Sequence, residues 1–489
     1  MKPTPLWKSP AVLYTAFAAA FITFRLILLT VGTTASEYLL YQDYGEAARE
    51  RPLAELYQER DIEYPHLAVL FGTAAAWVGD HLPDAAERWT YARPNPYCGA
   101  YYGRYESGLS VVLAAVDLAC LALVFLLARR FYPEEGVHRR LGRLVLYTVA
   151  TGVLGPILYD RQDLVVALLA LMAILSLAYG WAIPGYVLLT IGTAYKLVPA
   201  LLLPVWVLAA VALRTGPNAT PWRFLRATVC EAAIAGAILL LWPVLTYYLG
   251  GGERAFVFLT FHSVRGLQLE APAAWPIMLL DPTALVGHGY GSYNFLSPLA
   301  DRIAWALKGA MILAVGVTGL IAARGFWRAA SGPERPTPAA LGPHVVASSV
   351  LVWLGFILAN KVGSPQYLLW VAPLVPLLPL RGARAWCWAA LIVVVMILTT
   401  AVYPCAYEYV KGKLLNRDPY IWAGPNAWCA LLLTARSLSL AAATVWLGVA
   451  VWRSAGPTST TAADPVVLSL RSTRHEPDPA PRPLPVRTA

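Results

Sequence analysis

The sequence predicts an all-α polytopic membrane protein, and three observations predict it. Apolar runs near or above the roughly 18 residues that cross a bilayer recur along the chain. Only 13% of the 489 residues are charged, against about 25% in a soluble domain. The runs are continuous, whereas a membrane β-barrel alternates apolar and polar residues. A net charge of +10 then reads as Arg-rich cytoplasmic loops rather than a surface for nucleic acid.

The first run, 11–32, follows Lys2 and Lys8. It is too long for a signal-peptide core and no A-x-A site follows it, so a retained helix is expected. The next helix, 108–128, ends at Arg129 and Arg130, and Arg139, Arg140 and Arg143 follow in the loop. The positive-inside bias places that loop and the N-terminus in the cytoplasm. The polar segment 33–107 is therefore an outer loop. Its apolar stretch 67–78 is short, which favours an interfacial or re-entrant helix over a span.

Parity then orders the remaining spans as 141–157, 164–178, 180–192, 197–213, 227–248, 303–323, 344–360, 367–380, 385–402 and 429–451. The expectation is about twelve helices with both ends inside. Several runs are short or interrupted by Pro and Gly, which bilayers tolerate where helices line a cavity or meet neighbours. One membrane domain covers 1–453, and 454–489, rich in Pro, Thr and Arg, reads as a disordered cytoplasmic tail. No internal repeat of fixed period is seen.

Of six cysteines, Cys120, Cys230 and Cys387 fall in or beside apolar runs and read as packing residues. Cys98, Cys405 and Cys429 lie in or near outer loops, where a disulfide among them stays open. Arg25 and Asp117 sit inside spans and are expected to pair, because buried ionisable groups in membranes usually do.

Six polar clusters interrupt this background: "YQDYGEAA" with Asp43, "DIEYPH" with Glu63 and Tyr64, "YDRQD" with Arg161, "AYKLVP" with Lys196, "FHSVRGLQLE" with His262, Arg265, Gln268 and Glu270, and "NKVGSPQY" with Lys361, Ser364 and Gln366. All fall on the outer side, tight against helix ends, which fits a shared outer cavity better than ordinary polar loops. The cations Arg161, Lys196, Arg265 and Lys361 suit a lipid phosphate, since Arg forks match phosphate oxygens and Lys acts as a point charge. Lys196 and Lys361 also read as lysines snorkelling from helix ends. A carboxylate among Asp43, Glu63 and Glu270 suits a general base. Asp43 reads equally as a solvated loop acid, and Glu63 as the holder of a Lys or Arg. The aromatic stretch 88–105, "RWTYARPNPYCGAYYGRY", is a candidate sugar-stacking surface. No zinc-ligand spacing, nucleotide phosphate loop or G-x-S-x-G elbow occurs, so no metal or cofactor is expected. An outer-face enzyme lacks ATP, so its activated group must come from a lipid carrier.

Four pieces resemble the polyprenyl-phosphate-sugar-dependent glycosyltransferases of family 87, within the C-type integral-membrane glycosyltransferase (GT-C) superfold. They are "QDYGEAA" followed by "EYPH"; "RQD" followed by "YKLVPALLLP"; the H-x-x-R-G-L-Q-x-E pattern of His262 to Glu270; and the K-x-x-S-P-Q-Y-x-x-W pattern of Lys361 to Trp370. They occur in the family's order across residues 40–370, and the last two are specific. His66 stands where the family's "EYPP" has its second Pro, and 88–105 matches nothing in the pattern.

The resemblance implies a GT-C architecture with interfacial helices in the first outer loop. It implies a monomer in the cell (inner) membrane, acting on the extracytoplasmic face. The activity would be transfer of a hexose, mannose first, from a polyprenyl-phosphate donor to a glycolipid or glycan acceptor, with inversion. Asp43 would be the base, with Glu63 in reserve. Arg265 and Lys361 would neutralise the departing phosphate beside His262, with Arg161 and Lys196 as further donor-phosphate contacts. Tyr64, Gln268, Glu270, Ser364 and Gln366 would contact substrate. The rival expectations are a secondary transporter, for which twelve helices with both ends inside is a common layout, and a lipid-linked glycan ligase or polymerase.

Overall fold

The computed structural model describes residues 9–31, 37–83, 103–281, 283–289, 291–413 and 421–454. The expected tail beyond Ser454 and most of the aromatic stretch 88–105 lie outside them. The helices used below are α1 Pro10–Val31, α2 Glu37–Glu50, α3 Leu53–Glu59, α4 His66–Asp80, α5 Gly103–Phe131, α6 Val137–Gly152, α7 Leu164–Ala178, α8 Ala182–Tyr195, α9 Leu203–Arg214, α10 Pro221–Leu249, α11 Val257–Val264, α12 Pro298–Ser331, α13 Pro338–Ala359, α14 Gly382–Thr400, α15 Tyr407–Lys411 and α16 Ala427–Arg453. Among the described residues seven of these, α1, α5, α10, α12, α13, α14 and α16, are long and apolar enough to cross a membrane. The chain is a mostly helical membrane protein.

Local chemistry sets several helix starts. Ser297 caps α12 by accepting from the Leu299 and Ala300 amides, at 3.2 and 3.3 Å. Thr337 does the same for α13 from Ala340, and Asn426 for α16 from Cys429. Pro298 and Pro338 fill the first helical turn, where a missing N–H costs nothing. The helix α13 is apolar all round and almost wholly buried, so it is the central post of the bundle. By contrast α1, α10 and α12 leave most of their surface uncovered, as lipid-facing helices do.

Two expectations are corrected. The segment 367–380 forms no helix of spanning length. Pro365, Pro373, Pro376 and Pro379 remove amide donors, and only the short turns Pro365–Tyr367, Leu368–Val371 and Val375–Leu377 survive, all buried. The fold is also not purely helical. The strands β1 Leu285–Gly289, β2 Ser292–Leu296 and β3 Ile421–Trp422 form an antiparallel sheet in the order β2-β1-β3. Gly291, at φ +65°, allows the tight reversal between β1 and β2. Among the cysteines, Cys405 and Cys429 are free thiols, and Cys230 and Cys387 are exposed rather than packed. Cys98 lies outside the described residues.

The segment between α1 and α5 carries α2, α3 and α4; α2 packs onto α4, and α4 onto α5, at very short range. A Cβ on Gly45 would lie 2.5 Å from the Gly72 backbone, and one on Gly108 would lie 2.2 Å from the Ala75 oxygen. Small residues that let backbones approach are the usual means of packing helices in membranes. The expected Arg25–Asp117 pair is present: Arg25 Nε lies 2.8 Å from Asp117 Oδ2. Tyr147 and Tyr159 donate to the same carboxylate at 2.6 and 2.8 Å.

The Arg-rich loops meet at one end of the bundle. Arg335 donates to the Leu213 carbonyl, Arg328 to that of Ser454, and the Ala219 amide to Ala330. Arg130 reaches Ala178 nearby. Because α12 has 34 residues, its opposite end lies about 51 Å away at 1.5 Å per residue. The sheet and most of the polar clusters are at that far end.

Candidate functional site

The 265–270 motif is annexed to the sheet. The Leu269 amide donates to Tyr293 and the Phe295 amide to Leu267, at 2.9 and 3.0 Å, so the motif runs as an added edge beside β2. The 361–366 motif is then tied to it through its own backbone. The Gln268 amide donates to the Lys361 carbonyl at 3.0 Å, and the Gly363 amide to Gln268 Oε1 at 2.8 Å. Gly363 is required here, since a Cβ would stand 2.0 Å from the Glu270 carbonyl oxygen.

Glu63 arrives from the turn between α3 and α4. Its Oε2 accepts from Arg265 Nη2 at 3.0 Å, in a pair that is mostly buried. Burial pushes the Glu63 carboxyl up, and the Arg265 charge only partly offsets it. Gly291, at the hairpin tip, backs directly onto this pair. Arg265 Nε is buried without a hydrogen-bond partner among the described residues. Lys361 donates its ammonium to the Ser263 carbonyl at 3.0 Å and to that of Arg265. Burial holds this ammonium below its usual range, with Lys308 and then Arg265 adding like charge.

A second layer lies beneath. Glu270 is fully buried, accepting from Gln268 Nε2 at 2.6 Å and from Tyr407 at 3.4 Å, while Arg436 donates to its carbonyl. The Tyr407 ring packs edge-on to Tyr403, whose hydroxyl accepts from Arg161 Nη2 at 2.8 Å. Arg161 is itself buried beside Asp160, 3.4 Å away. Lys196 places its ammonium between both oxygens of Asp163, at 2.8 and 2.9 Å, and Trp370 donates to the same carboxylate at 2.6 Å. Trp370 stacks on Tyr367, which follows the 3.1 Å turn bond to Ser364. Tyr64 meets Tyr41 hydroxyl to hydroxyl at 3.2 Å.

The structure thus joins Glu63, Arg265, Lys361, Gln268, Glu270 and Arg161 through successive direct contacts. Lys196 and Ser364 belong to the adjoining wall, and Gln366 is buried there. Tyr64 follows Glu63 in the loop before α4. Asp43 stands on α2, exposed, next to Tyr44, whose phenol is hydrogen-bonded by the Glu63 backbone. Asp43 joins no hydrogen bond or ion pair among the described residues. His262 lies in α11, and its side chain is outside the described ones. Sequence reasoning missed Tyr403, Tyr407 and the hairpin. Behind the turn that carries the two tyrosines, an apolar cavity of about 750 Å³ is lined by Cys405, Ala406, Trp428 and Leu432 among others.

Burial pushes the Glu270 carboxyl up to about 7, against the pull of Arg436 and Arg161. The native state therefore holds this proton more tightly than the unfolded chain, whose ordinary value is 4.5. The contribution is fully present below pH 4.5 and is lost as pH rises to about 7. It amounts to about 3 kcal/mol. Thermal unfolding in detergent at pH 5 and pH 8 is expected to show a flatter pH dependence in Glu270→Gln than in the wild type. An unchanged slope would assign that titration to another group.

No protein-family model matches the chain, and a search of curated proteins finds no match.

Proposed function

We propose that the protein is an integral-membrane glycosyltransferase of C-type architecture. It takes a hexose, mannose first, from a polyprenyl-phosphate carrier and passes it to a glycolipid or glycan acceptor on the extracytoplasmic face. The observation that carries this reading is the convergence of loops more than 200 residues apart, Glu63 with Arg265, at the end of the bundle opposite the Arg-rich loops. The unpartnered Arg265 Nε supports an anionic ligand there. The neighbouring apolar cavity supports a greasy one.

In this reading the acceptor oxygen attacks the anomeric carbon as its bond to the phosphate oxygen breaks, in one inverting step. The acceptor proton passes to Asp43, the exposed acid on α2, with Glu63 as the alternative base. Arg265, held by Glu63, and Lys361 stabilise the charge growing on the departing phosphate. Arg161 and Lys196 shape the walls through Tyr403 and Asp163.

Purified protein supplied with labelled polyprenyl-phosphate mannose and a glycolipid extract tests the proposal. Transfer by the wild type, with loss of turnover but retained donor binding in Asp43→Asn, is the expected result. Full activity in Asp43→Asn with loss in Glu63→Gln would move the base to Glu63. No transfer from either mannosyl or glucosyl carriers would overturn the reading.

A further inference from the structure

The helices α12 and α13 run antiparallel and touch at Gly355, where a Cβ would lie 2.9 Å from Thr318 and 3.6 Å from the Ala314 oxygen. Following the two chains outward by equal steps from Gly355 and Ala314 leads to Lys361 on one and Lys308 on the other. Lys308 is therefore level with Lys361. The depressed ammonium of Lys361, for which Lys308 is the leading charged cause, agrees with that placement.

Lys308 is exposed and joins no hydrogen bond or ion pair among the described residues. On its face of α12 stand Trp305, 75% exposed, and Ile312, 73% exposed. They lie three residues before it and four after it, the spacing that shares a helix face. Asp301 is two turns away, about 10 Å along the axis. A lone ammonium on an apolar, bilayer-facing surface is costly unless an anion meets it. Lys361 and Arg265 beside it are cations too, and Arg265 keeps a buried donor without a partner.

We propose that Lys308, Lys361 and Arg265 form a cationic track open to the bilayer along α12, with Lys308 the first contact for the phosphate ester of a membrane lipid moving sideways into the site. The inference rests on the lipid-carrier reading above and adds a residue and a direction to it. Trp305 and Ile312 would lie along the lipid chain while the phosphate passes from Lys308 to the inner pair.

The test is binding, not transfer. The full chain in nanodiscs of zwitterionic lipid is titrated with polyprenyl monophosphate, comparing wild type, Lys308→Gln, Lys308→Arg and, as a charge control at the other end of the bundle, Arg328→Gln. Lys308→Gln is expected to weaken binding about tenfold, as loss of one charge-assisted contact does. Lys308→Arg and Arg328→Gln are expected to bind as the wild type does, and inorganic phosphate is expected not to compete. Binding by Lys308→Gln within twofold of the wild type would overturn the proposal. So would equal competition by inorganic phosphate, which would make this a site for soluble anions. Lys308-dependent binding without sugar transfer would sustain the track while removing the transferase reading. Transfer that is insensitive to Lys308→Gln would do the reverse.

Discussion

Asp117→Ala is expected to cost about 3–5 kcal/mol of stability, the range for removing one partner of a buried ion pair. Arg25 and Asp117 are both nearly inaccessible, so the guanidinium left behind has no water to turn to. The Tyr159 hydroxyl also loses its acceptor, and that of Tyr147 keeps only the backbone carbonyl of residue 117, at 3.0 Å. The pair clamps α1 and α5 to α6, because Arg25 further reaches Thr151 and the Thr148 carbonyl. Thermal unfolding in detergent and the yield of monodisperse protein are the readouts. The double change Arg25→Met with Asp117→Leu should recover much of the loss, since a packed apolar pair is often as stable as a buried ionic one. If Asp117→Ala melts with the wild type, the clamp is not a main support of the bundle.

The largest functional effect is expected at Arg265. One nitrogen of its guanidinium is spent on Glu63 and its Nε is left over. A planar fork can hold a carboxylate with one edge while offering other donors to a phosphate, which an ammonium cannot imitate. Arg265→Gln is expected to lower turnover by about 10²–10³, the usual loss on removing one electrostatic stabiliser of a developing anion. Arg265→Lys should restore only part of it. Initial rates of sugar transfer, with the melting temperature checked in parallel, measure both. Rates within a few-fold of the wild type for Arg265→Gln would remove Arg265 from the chemistry and leave it as a structural partner of Glu63.

Much of the fold was legible because apolar runs against a polar contrast are a strong signal. The apolar run at 164–178 is a helix, Leu164–Ala178, though its 15 residues fall short of the spanning length expected of it, and Arg25 and Asp117 were readable as partners because buried charge must be compensated. The hairpin was not legible: "LVGHGYGSYNFL" is short, and Gly and His dilute its alternation. At 367–380 the apolar run hides how its prolines break it into short turns. In the site, charged motifs stood out against an oily background. Tyr403 and Tyr407 did not, because a Tyr-rich stretch at a helix end reads as part of the interfacial aromatic belt. Their partners, Arg161 and Glu270, are brought by tertiary contacts that no local pattern announces.

The close approach at Gly363 has a consequence for motion. Because the two motifs there are joined through the Gln268 amide and side chain with no room for even a methyl group, they are expected to move together as one floor. If the proposed transfer requires opening and closing, that motion would fall to the roof, the helices α2 to α4, which meet that floor through Glu63 and its arginine.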